Sequence, residues 1–338
     1  METYYRPLVQ TGPRRPDDAL PLVGGASCWF NTVEAIRREG PSEFLSAADI
    51  PDETRRRLSA PRTPIAGLSM DQARIMGILN VTPDSFSDGG KHSGPAAALA
   101  HAKRMVSEGA DIIDVGGEST RPGAQTVPEE AEIARTAPVI AAIRSGLEVP
   151  MSIDTRKAEV ARAAHEAGAM LVNDVSGFTY DKALSQYCVA NDLPVCVMHA
   201  QGDPETMHLD PRYDDVLLDV YDFLAAQVIF LRDLGIPRER IVVDPGIGFG
   251  KTLKHNLRIL SGISLFHGLG CPVLLGASRK GFIGTLSAAS NPAERMPGSV
   301  AVALGAVAQG VQIVRVHDVR ETRQALALWT AVARAGAA

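Results

Sequence analysis

Short apolar, β-branched runs alternate with longer amphipathic stretches from residue 74 onward. The apolar runs occupy residues 75–80, 111–116, 151–154, 171–174, 195–199, 241–244, 273–276 and 313–317. Continuous apolar runs of this length are typical of parallel strands buried on both faces. Alanine-rich stretches with helical spacing lie between them, including residues 96–108, 129–144, 157–167, 216–234 and 298–309. Eight strand–helix units over residues 74–338 predict an α/β fold, a (β/α)8 TIM barrel.

A doubly wound open sheet is the alternative architecture, because it also alternates strands with helices. It fits less well, since no GxGxxG fingerprint follows the first apolar run.

Polar side chains mark nearly every strand end of the predicted barrel. They are Asn80, Asp114, Asp154, Asn173, His199, Asp244, Ser278 and His317. A single aspartate at such a position is usually a helix N-cap. A polar residue at almost all of them is harder to explain by capping. Because barrel enzymes carry their sites at the carboxyl ends of the strands, the pattern predicts a polar ligand pocket there.

Residues 1–73 differ from the repeating part of the chain. They are rich in proline and contain the charge clusters Arg14-Arg15 and Arg55-Arg56-Arg57. Two stretches, residues 32–39 and 52–58, have the spacing of short helices. We therefore predict an N-terminal extension of unknown role over residues 1–73 and a barrel over residues 74–338, with the extension docked on the barrel as an arm.

Composition and charge restrict the function classes. The 338 residues are 45% hydrophobic and 22% charged, which is ordinary for a globular chain. A net charge of −5 excludes a broadly basic nucleic-acid-binding surface. There is no apolar run long enough for a membrane span and no apolar core of a secretory signal near the start. The four cysteines form no CxxC pair, so we expect a reducing, cytoplasmic location.

A glycine-rich segment, DPGIGFGKT at residues 244–252, resembles a phosphate loop only superficially. Three residues separate Gly246 from Gly250, whereas that motif requires four. A nucleoside triphosphatase is therefore rejected, and we expect a loop whose backbone approaches a flat ligand, with Phe249 as its packing face. His199 and His208 have no metal-ligand spacing and are expected to be structural.

Cationic residues cluster after the last two strands. Arg315 and His317 alternate along one strand and are expected to point to one side, as an anion site. Lys280 follows the preceding strand and opens a helix, where free backbone N–H groups also favour an anion.

Long ordered motifs then identify the chain as similar to a known family. MGILNVTPDSFSDGG at residues 76–90 strongly resembles the first signature of dihydropteroate synthases, and DIIDVGGESTRPGA at residues 111–124 resembles the second. The family's remaining motifs follow in its order, at residues 152–155, 173–177, 244–251, 278–280 and 315–317. The resemblance covers the chain from about residue 74 onward and leaves residues 1–73 outside.

The resemblance implies a reaction. The family condenses 6-hydroxymethyl-7,8-dihydropterin pyrophosphate with p-aminobenzoate and releases pyrophosphate with Mg2+, giving the folate precursor 7,8-dihydropteroate. The carbon–oxygen bond breaks first and leaves a pterin-stabilised methylene cation, which the aniline nitrogen attacks. The family tends to be homodimeric. We therefore expect small-molecule substrates, no nucleic acid or membrane partner, and a homodimer.

The resemblance also implies the residue roles. Catalytic roles fall on Asp88, Arg121, Asp154 and Lys280. The pterin subsite comprises Asp154, Asn173, Met198, Asp244 and Lys280. The p-aminobenzoate subsite comprises Thr120, Arg121, Pro122, Phe249 and Gly281. Pyrophosphate is assigned to Asn80, Arg121, Arg315 and His317, and the metal to the amide oxygen of Asn80, since Mg2+ prefers oxygen ligands.

One position departs from the family pattern. Many relatives place a serine directly after the lysine of the SRK motif, whereas this chain has Gly281. A side-chain hydroxyl for the substrate carboxylate is therefore missing. We expect altered affinity, with backbone N–H groups at the helix start still available to the carboxylate.

Two other functions compete with this interpretation. A folate-to-corrinoid methyltransferase on the same fold would share the pterin-facing residues, but it would not need the pyrophosphate site or the STRP segment at residues 119–122. A non-catalytic pterin-binding relative would have lost Asn80, Lys280, Arg315 or His317, and all four are present.

Overall fold

The structure is a computed structural model, and it describes residues 3–81, 94–119, 124–202, 206–207 and 209–335. Eight parallel strands form its main sheet: β7 (Arg74–Asn80), β8 (Ile112–Gly116), β9 (Met151–Asp154), β10 (Leu171–Asp174), β11 (Val195–Met198), β12 (Ile241–Asp244), β13 (Leu274–Leu275) and β14 (Ile313–Val316). They are ordered β12-β11-β10-β9-β8-β7-β14-β13. A parallel bridge from Val243 to Val273 closes this sheet. The predicted (β/α)8 barrel is confirmed.

Helices surround the barrel: α2 (Pro95–Ser107), α3 (Glu129–Gly146), α4 (Ala158–Ala167), α5 (Lys182–Ala190), α6 (Val216–Leu234), α7 (Leu253–Ser261), α8 (Gly281–Ser287), α9 (Met296–Val307) and α10 (Val319–Arg334). Asp215 caps α6, since its carboxylate accepts from the amides of Leu217 and Leu218 at 2.9 and 3.2 Å. Within the described residues, no helix combines the length and the apolar character that crossing a membrane requires.

The N-terminal extension contains two small antiparallel sheets and one helix. Its elements are β1 (Tyr4–Pro7), β2 (Gln10–Thr11), β3 (Leu20–Pro21), β4 (Cys28–Phe30), β5 (Thr32–Ile36), β6 (Glu43–Ser46) and α1 (Asp52–Ser59). The sheets have the orders β1-β5-β6 and β2-β4-β3. The predicted helix over residues 52–58 is confirmed by α1. The predicted helix over residues 32–39 is wrong, because β5 pairs on both edges with strands that local spacing does not reveal.

The extension packs along the outside of the barrel. Tyr4 donates its hydroxyl to Asp222 of α6 at 2.9 Å. Arg38 forms ion pairs with Asp219 and Asp222 at 2.8 and 2.6 Å. Ser264, which precedes β13, donates to the carbonyl of Pro7 at 3.0 Å. The extension is thus anchored by polar contacts on α6 and on the segment between α7 and β13.

Two residues of the extension also fill the base of the barrel, at the amino ends of its strands. Ile65 and Met70 are 2% and 3% exposed. They belong to one apolar cluster, which we call the base cluster, with the barrel residues Met76, Ile112, Leu171, Cys196, Val242, Leu274 and Ile313. The amino end of the barrel is therefore packed with side chains, and the polar strand ends lie at the opposite end.

Candidate active site

Asp114 on β8 organises the deepest part of the pocket. Its side chain is fully buried. It accepts from Arg315 Nε at 2.6 Å, from Ser152 Oγ at 2.5 Å and from Asn173 Nδ2 at 3.3 Å. The carboxylate thus ties together residues from β9, β10 and β14. Asp114 was one of the polar strand-end residues in the sequence, but it was not assigned to a substrate, because its partners across the barrel only become visible in three dimensions.

Asp154 at the end of β9 is the second carboxylate in contact with Arg315. Arg315 Nη2 lies 2.7 Å from Asp154 Oδ2. Burial raises the pKa of Asp154 to about 7, and the nearby Asp114 adds to this, while Arg315 opposes it. The pKa of Arg315 is raised by these two carboxylates although burial lowers it. The guanidinium therefore stays charged and neutralises part of the acidic pocket.

Asn80 lies next to Asp154, because a glycine on the strand between them leaves room. A Cβ atom on Gly116 would lie 3.7 Å from Asn80 Oδ1 and also 3.7 Å from Asp154 Oδ2. The amide oxygen and the carboxylate oxygen therefore border the same small space. Both are hard oxygen ligands of the kind that Mg2+ prefers.

This donor set fits Mg2+ better than a softer metal. Among the residues that the structure describes, there is no group of three or more His, Cys, Asp or Glu side chains that could enclose an ion. Mg2+ usually needs only one or two protein oxygens when phosphate oxygens and water complete its shell. Asn80 is suited to that minimal role.

Asp244 and Lys280 line the opposite wall of the pocket. Asp244 Oδ1 accepts from the amide of Gly246 at 2.7 Å, and burial raises the pKa of its carboxyl group. Lys280 Nζ donates to the carbonyl of Ile247 at 2.5 Å and lies 3.9 Å from the centroid of the Phe249 ring. Burial lowers the pKa of Lys280 to about 7, with Asp244 opposing this shift.

Two further residues that the resemblance assigns to a pterin subsite lie at or next to strand ends, Asn173 and Met198. Asn173 is the next-to-last residue of β10 and Met198 is the last residue of β11, and they are 4% and 3% exposed. Met198 Cγ would lie 3.2 Å from a Cβ atom on Gly246. The thioether side chain therefore packs directly beneath the glycine-rich loop at residues 245–251.

His317 follows β14 and contacts Ser278. The Ser278 hydroxyl lies 3.1 Å from His317 Nδ1 and accepts from the His317 amide at 3.2 Å. Arg315, two residues earlier, is directed to Asp114 and Asp154. The two residues that we expected to form one anion site are thus held by different partners, and Arg315 is committed to carboxylates.

A buried ionic cluster holds the chain at the second signature and just after it. Glu118 accepts from the Val127 amide at 2.7 Å and forms ion pairs with Arg156 and Lys157, both at 3.1 Å. Lys157 also pairs with Glu132 at 2.6 Å and donates to the carbonyl of Val127 at 2.7 Å. Glu118 and Lys157 therefore bind residue 127 through its backbone amide and carbonyl and hold it close to residue 118. Glu118 was not singled out in the sequence, and the available signal was a charge two residues after the apolar run at residues 111–116.

A cavity of about 300 Å³ opens beside Phe249. Its lining includes Arg156, Val175, Ser176, Thr179, Tyr180, Ala200, Gly202, Met207 and Phe249. The Arg156 guanidinium stacks 4.1 Å from the centroid of the Tyr180 ring. Phe249 thus borders this cavity and also contacts Lys280, so there is space for a molecule beside the Phe249 ring.

Gly281 begins α8 directly after Lys280, and no heavy atom lies within 4 Å of the position of a Cβ atom. Several predicted site residues lie outside the described residues, namely Asp88, Thr120, Arg121 and Pro122, as does His208. His199 is described: its Nδ1 lies 2.8 Å from Lys251 Nζ, which agrees with the structural role expected for it.

Comparison with known proteins gives a family for this site. Residues 76–317 match the family described as Pterin binding enzyme. The chain is 47% identical over 259 residues to the dihydropteroate synthase of Escherichia coli K12, which covers 77% of this chain and 91% of that protein. It is 45% identical over 276 residues to the dihydropteroate synthase of a Synechocystis species, over 80% of this chain and 96% of that one.

Solved structures give the same result. A Xanthomonas albilineans dihydropteroate synthase with 4-aminobenzoic acid is 45% identical, has a TM-score of 0.76, and covers 80% of this chain and 98% of its own. The enzyme of the same organism in complex with 7,8-dihydropteroate is 41% identical, with a TM-score of 0.73 and the same coverage. The fold, the ordered signatures and these likenesses together place the chain in the dihydropteroate synthase family of pterin-binding enzymes.

Proposed function

We propose that the barrel mouth of this chain condenses 6-hydroxymethyl-7,8-dihydropterin pyrophosphate with p-aminobenzoate, giving 7,8-dihydropteroate and pyrophosphate. The observation that carries this proposal is the arrangement of the buried Asp154, Asn173 and Asp244, with the half-buried Lys280, near Arg315. Carboxylates, an amide and an ammonium group inside a barrel are complementary to a flat ring with both N–H donors and carbonyl or ring-nitrogen acceptors. Family membership supplies the reaction.

The pterin ring is assigned to the deep pocket. Asp154 and Asp244 accept from ring and amino N–H groups, while Asn173 and Lys280 supply donors. Met198 packs against the ring face, a role suited to its polarizable side chain. Asp154 bonds to Arg315 and Asp244 to the Gly246 amide, and the remaining acceptor positions of these buried carboxylates require substrate donors. This requirement gives the pocket its selectivity for a donor-rich heterocycle.

The reaction needs charge stabilisation and no nucleophile from the protein. The bond from the methylene carbon to the diphosphate oxygen breaks, and its electron pair leaves with the diphosphate. The resulting cation is stabilised by the pterin and by the carboxylates of Asp154 and Asp88. The amine nitrogen of p-aminobenzoate then forms the new bond to that carbon and loses one proton. Arg121 and Lys280 contribute positive charge at the substrates.

The diphosphate is assigned to Asn80, Arg121, Arg315 and His317. Asn80 would hold Mg2+ through its amide oxygen, and the metal would neutralise the negative charge of the leaving group. Arg315 is already bound to two carboxylates, so its contribution depends on the substrate sharing that guanidinium. His317 is positioned by Ser278 at the same end of the barrel.

The p-aminobenzoate subsite is assigned to Phe249 and Gly281 together with Thr120, Arg121 and Pro122. Phe249 supports this assignment through its place between Lys280 and the 300 Å³ cavity. The open space at Gly281 lies next to Lys280 along the chain. A benzoate ring placed on Phe249 would then lie beside the pterin pocket, with its carboxylate directed to the start of α8.

We also propose the division into an extension at residues 1–73 and a barrel at residues 74–338, a homodimer and a cytoplasmic location. Leu328 and Val332 support the dimer: they lie one turn apart on α10 and are 70% and 74% exposed. Apolar side chains that are this exposed on one helix face are typical of a protein contact.

The direct test is release of pyrophosphate from the pterin diphosphate that depends on p-aminobenzoate. We expect release only with both substrates and with Mg2+. Calorimetric titration then tests the order of assembly: p-aminobenzoate should bind weakly to the free enzyme and clearly once pyrophosphate, Mg2+ and a pterin are present. Arg121→Ala should remove most of that dependence. Equal affinity with and without pyrophosphate would contradict the proposed sharing of Arg121 between the two subsites.

A further inference from the structure

Lys251 ends the glycine-rich loop at residues 245–251, and its ammonium group points into the protein. The residue is 9% exposed. Its Nζ lies 2.8 Å from His199 Nδ1, 3.0 Å from the Phe249 carbonyl and 3.4 Å from the His199 carbonyl. A lysine ammonium has three donors, and here it meets three acceptors. The lysine that suggested a phosphate loop in the sequence therefore binds protein groups.

The loop is pressed against the segment that follows β11. Gly246, Gly248 and Gly250 all have positive φ, at 67°, 81° and 62°. A Cβ atom on Gly246 would lie 1.9 Å from the His199 carbonyl oxygen. The close approach leaves that carbonyl without room for water. Lys251 supplies a donor at this contact, so the two segments are joined by one side chain.

Two lysines contact Phe249, one at its ring and one at its backbone carbonyl. Lys280 lies over its ring and donates to the Ile247 carbonyl, two residues earlier. Lys251 donates to the carbonyl of Phe249 itself. The position of the ring therefore depends on Lys280 in the pocket wall and on Lys251 behind it. Only Lys280 borders the proposed pterin pocket, so Lys251 is separated from the reacting atoms by the loop.

We propose that Lys251, through its contact with His199, is a positioning residue that fixes Phe249 and thereby sets the affinity for the aromatic amine substrate. This inference rests on the proposed assignment of Phe249 to the p-aminobenzoate subsite. It predicts a larger effect on the aromatic amine than on the pterin compound, because Asp154 is anchored by Arg315, which lies outside this loop.

The protonation state of His199 is consistent with this contact. Burial lowers the pKa of His199 to about 2, and the neighbouring Lys251 lowers it further. The imidazole is therefore neutral at working pH, and its Nδ1 lone pair accepts in the tautomer that carries hydrogen on Nε2. Burial also lowers the pKa of Lys251, an effect that Asp244 opposes and Lys280 reinforces.

The test is steady-state kinetics of Lys251→Met, with Lys254→Met as the matched control. Lys254 is an exposed lysine on α7, three residues further along the chain. In Lys251→Met, the KM for p-aminobenzoate should rise by about tenfold or more, as expected for the loss of charged hydrogen bonds. The kcat and the KM for the pterin diphosphate should stay within about twofold. An unchanged KM for p-aminobenzoate, or equal rises in both KM values, would overturn the proposal.

A second variant covers the case in which Lys251→Met does not fold. His199→Phe removes the Nδ1 acceptor but keeps an aromatic ring against Phe223, whose ring centroid lies 4.9 Å from that of His199. It should raise the KM for p-aminobenzoate in the same selective way. A uniform loss of activity toward both substrates in this variant would also count against positioning.

The variant Phe249→Ala tests the subsite assignment of Phe249 separately from the positioning role of Lys251. If Phe249→Ala alone leaves the KM for p-aminobenzoate unchanged, the subsite assignment fails and this inference fails with it. If Phe249→Ala raises that KM and Lys251→Met raises it no further in this background, the positioning role is supported. A further rise of similar size in the double variant would show that Lys251 acts on something other than Phe249.

Discussion

Arg315 and Asp154 meet inside the barrel, with Nη2 of the arginine 2.7 Å from Oδ2 of the aspartate. The same guanidinium also binds Asp114 through Nε at 2.6 Å. One cation is thus shared by two buried carboxylates. The two carboxylates carry one negative charge more than this guanidinium balances, and hydrogen bonds from the N–H groups of a ring would stabilise that charge.

Asp154→Asn should therefore weaken use of the pterin diphosphate while the protein stays folded. Loss of one charged hydrogen bond costs about 1.5–3 kcal/mol, which is roughly a 10- to 100-fold fall in kcat/KM. Arg315 retains Asp114 as a partner, so the melting temperature should change little. Asp233→Asn, at an exposed position on α6, is the control. An unchanged kcat/KM would show that Asp154 does not face the substrate.

The pH profile should be bell-shaped and centred near neutrality. Burial raises the pKa of Asp154 to about 7, so its carboxylate becomes protonated as the pH falls below that value and loses its charge. Burial lowers the pKa of Lys280 to about 7, so its ammonium loses its proton as the pH rises above that value. We expect kcat/KM for the pterin diphosphate to decline on both sides.

The variant Lys280→Arg tests which residue causes the acid decline of the pH profile and which causes the alkaline decline. A guanidinium stays charged at every working pH, so the alkaline limb should move upward while the acid limb stays in place. A profile that is flat from about pH 6 to 8.5 would contradict both assignments.

Gly281→Ser should strengthen binding of p-aminobenzoate. Apart from the adjoining residues and the helix's own backbone, no heavy atom lies within 4 Å of a Cβ atom at this position, so there is room for a serine side chain next to Lys280. One neutral hydrogen bond is worth about 0.5–1.5 kcal/mol, which corresponds to a fall of roughly 2- to 12-fold in the KM for p-aminobenzoate. Gly305→Ser, at a similarly open and exposed position on α9, is the control. An unchanged or higher KM would show that the carboxylate does not reach residue 281.

Two truncations should differ in stability. Removal of residues 1–63 keeps Ile65 and Met70 in the base cluster, whereas removal of residues 1–73 exposes it. Burial of each such side chain is worth about 1.5–3 kcal/mol, so the longer deletion should be less stable by roughly 3–6 kcal/mol in denaturant unfolding. Turnover should persist in the shorter deletion, because the described pocket residues lie beyond β6. Equal unfolding free energies would mean that the base residues contribute nothing.

The sequence predicted the barrel well, because a buried parallel strand has a local signature of continuous apolar residues. Met151–Asp154, Leu171–Asp174 and Ile241–Asp244 have the predicted bounds. Strand β13 is shorter than predicted, since only Leu274 and Leu275 pair regularly with β14. In the extension, Thr32–Ile36 was predicted as a helix and is a strand. It pairs with β1, more than twenty residues earlier, and with β6, and local spacing within residues 32–39 carries no information about these pairings.

The sequence predicted where the polar residues of the candidate site lie, but it did not predict which of their side chains contact each other. The polar strand ends, among them Asp154 and Asp244, do lie at one end of the barrel. The sequence did not show that Arg315 would bind Asp114 and Asp154, because alternation along β14 indicates a face and not a partner. It also did not show that Lys251 turns inward. Which of these contacts form depends on how side chains from several strands compete for the same charged group.

In the part of the chain that the structure describes, side chains fill the amino end of the barrel, and the carboxyl ends of the strands form its open end. Ile65 and Met70 pack against the amino ends of the strands, while Asp114 and Asn173 lie deeper than Phe249, which borders the outer cavity. A molecule that binds at the bottom would have to pass the proposed p-aminobenzoate subsite beside Phe249. The kinetic scheme should therefore be sequential, with the pterin compound entering first, and p-aminobenzoate bound above it should slow its escape.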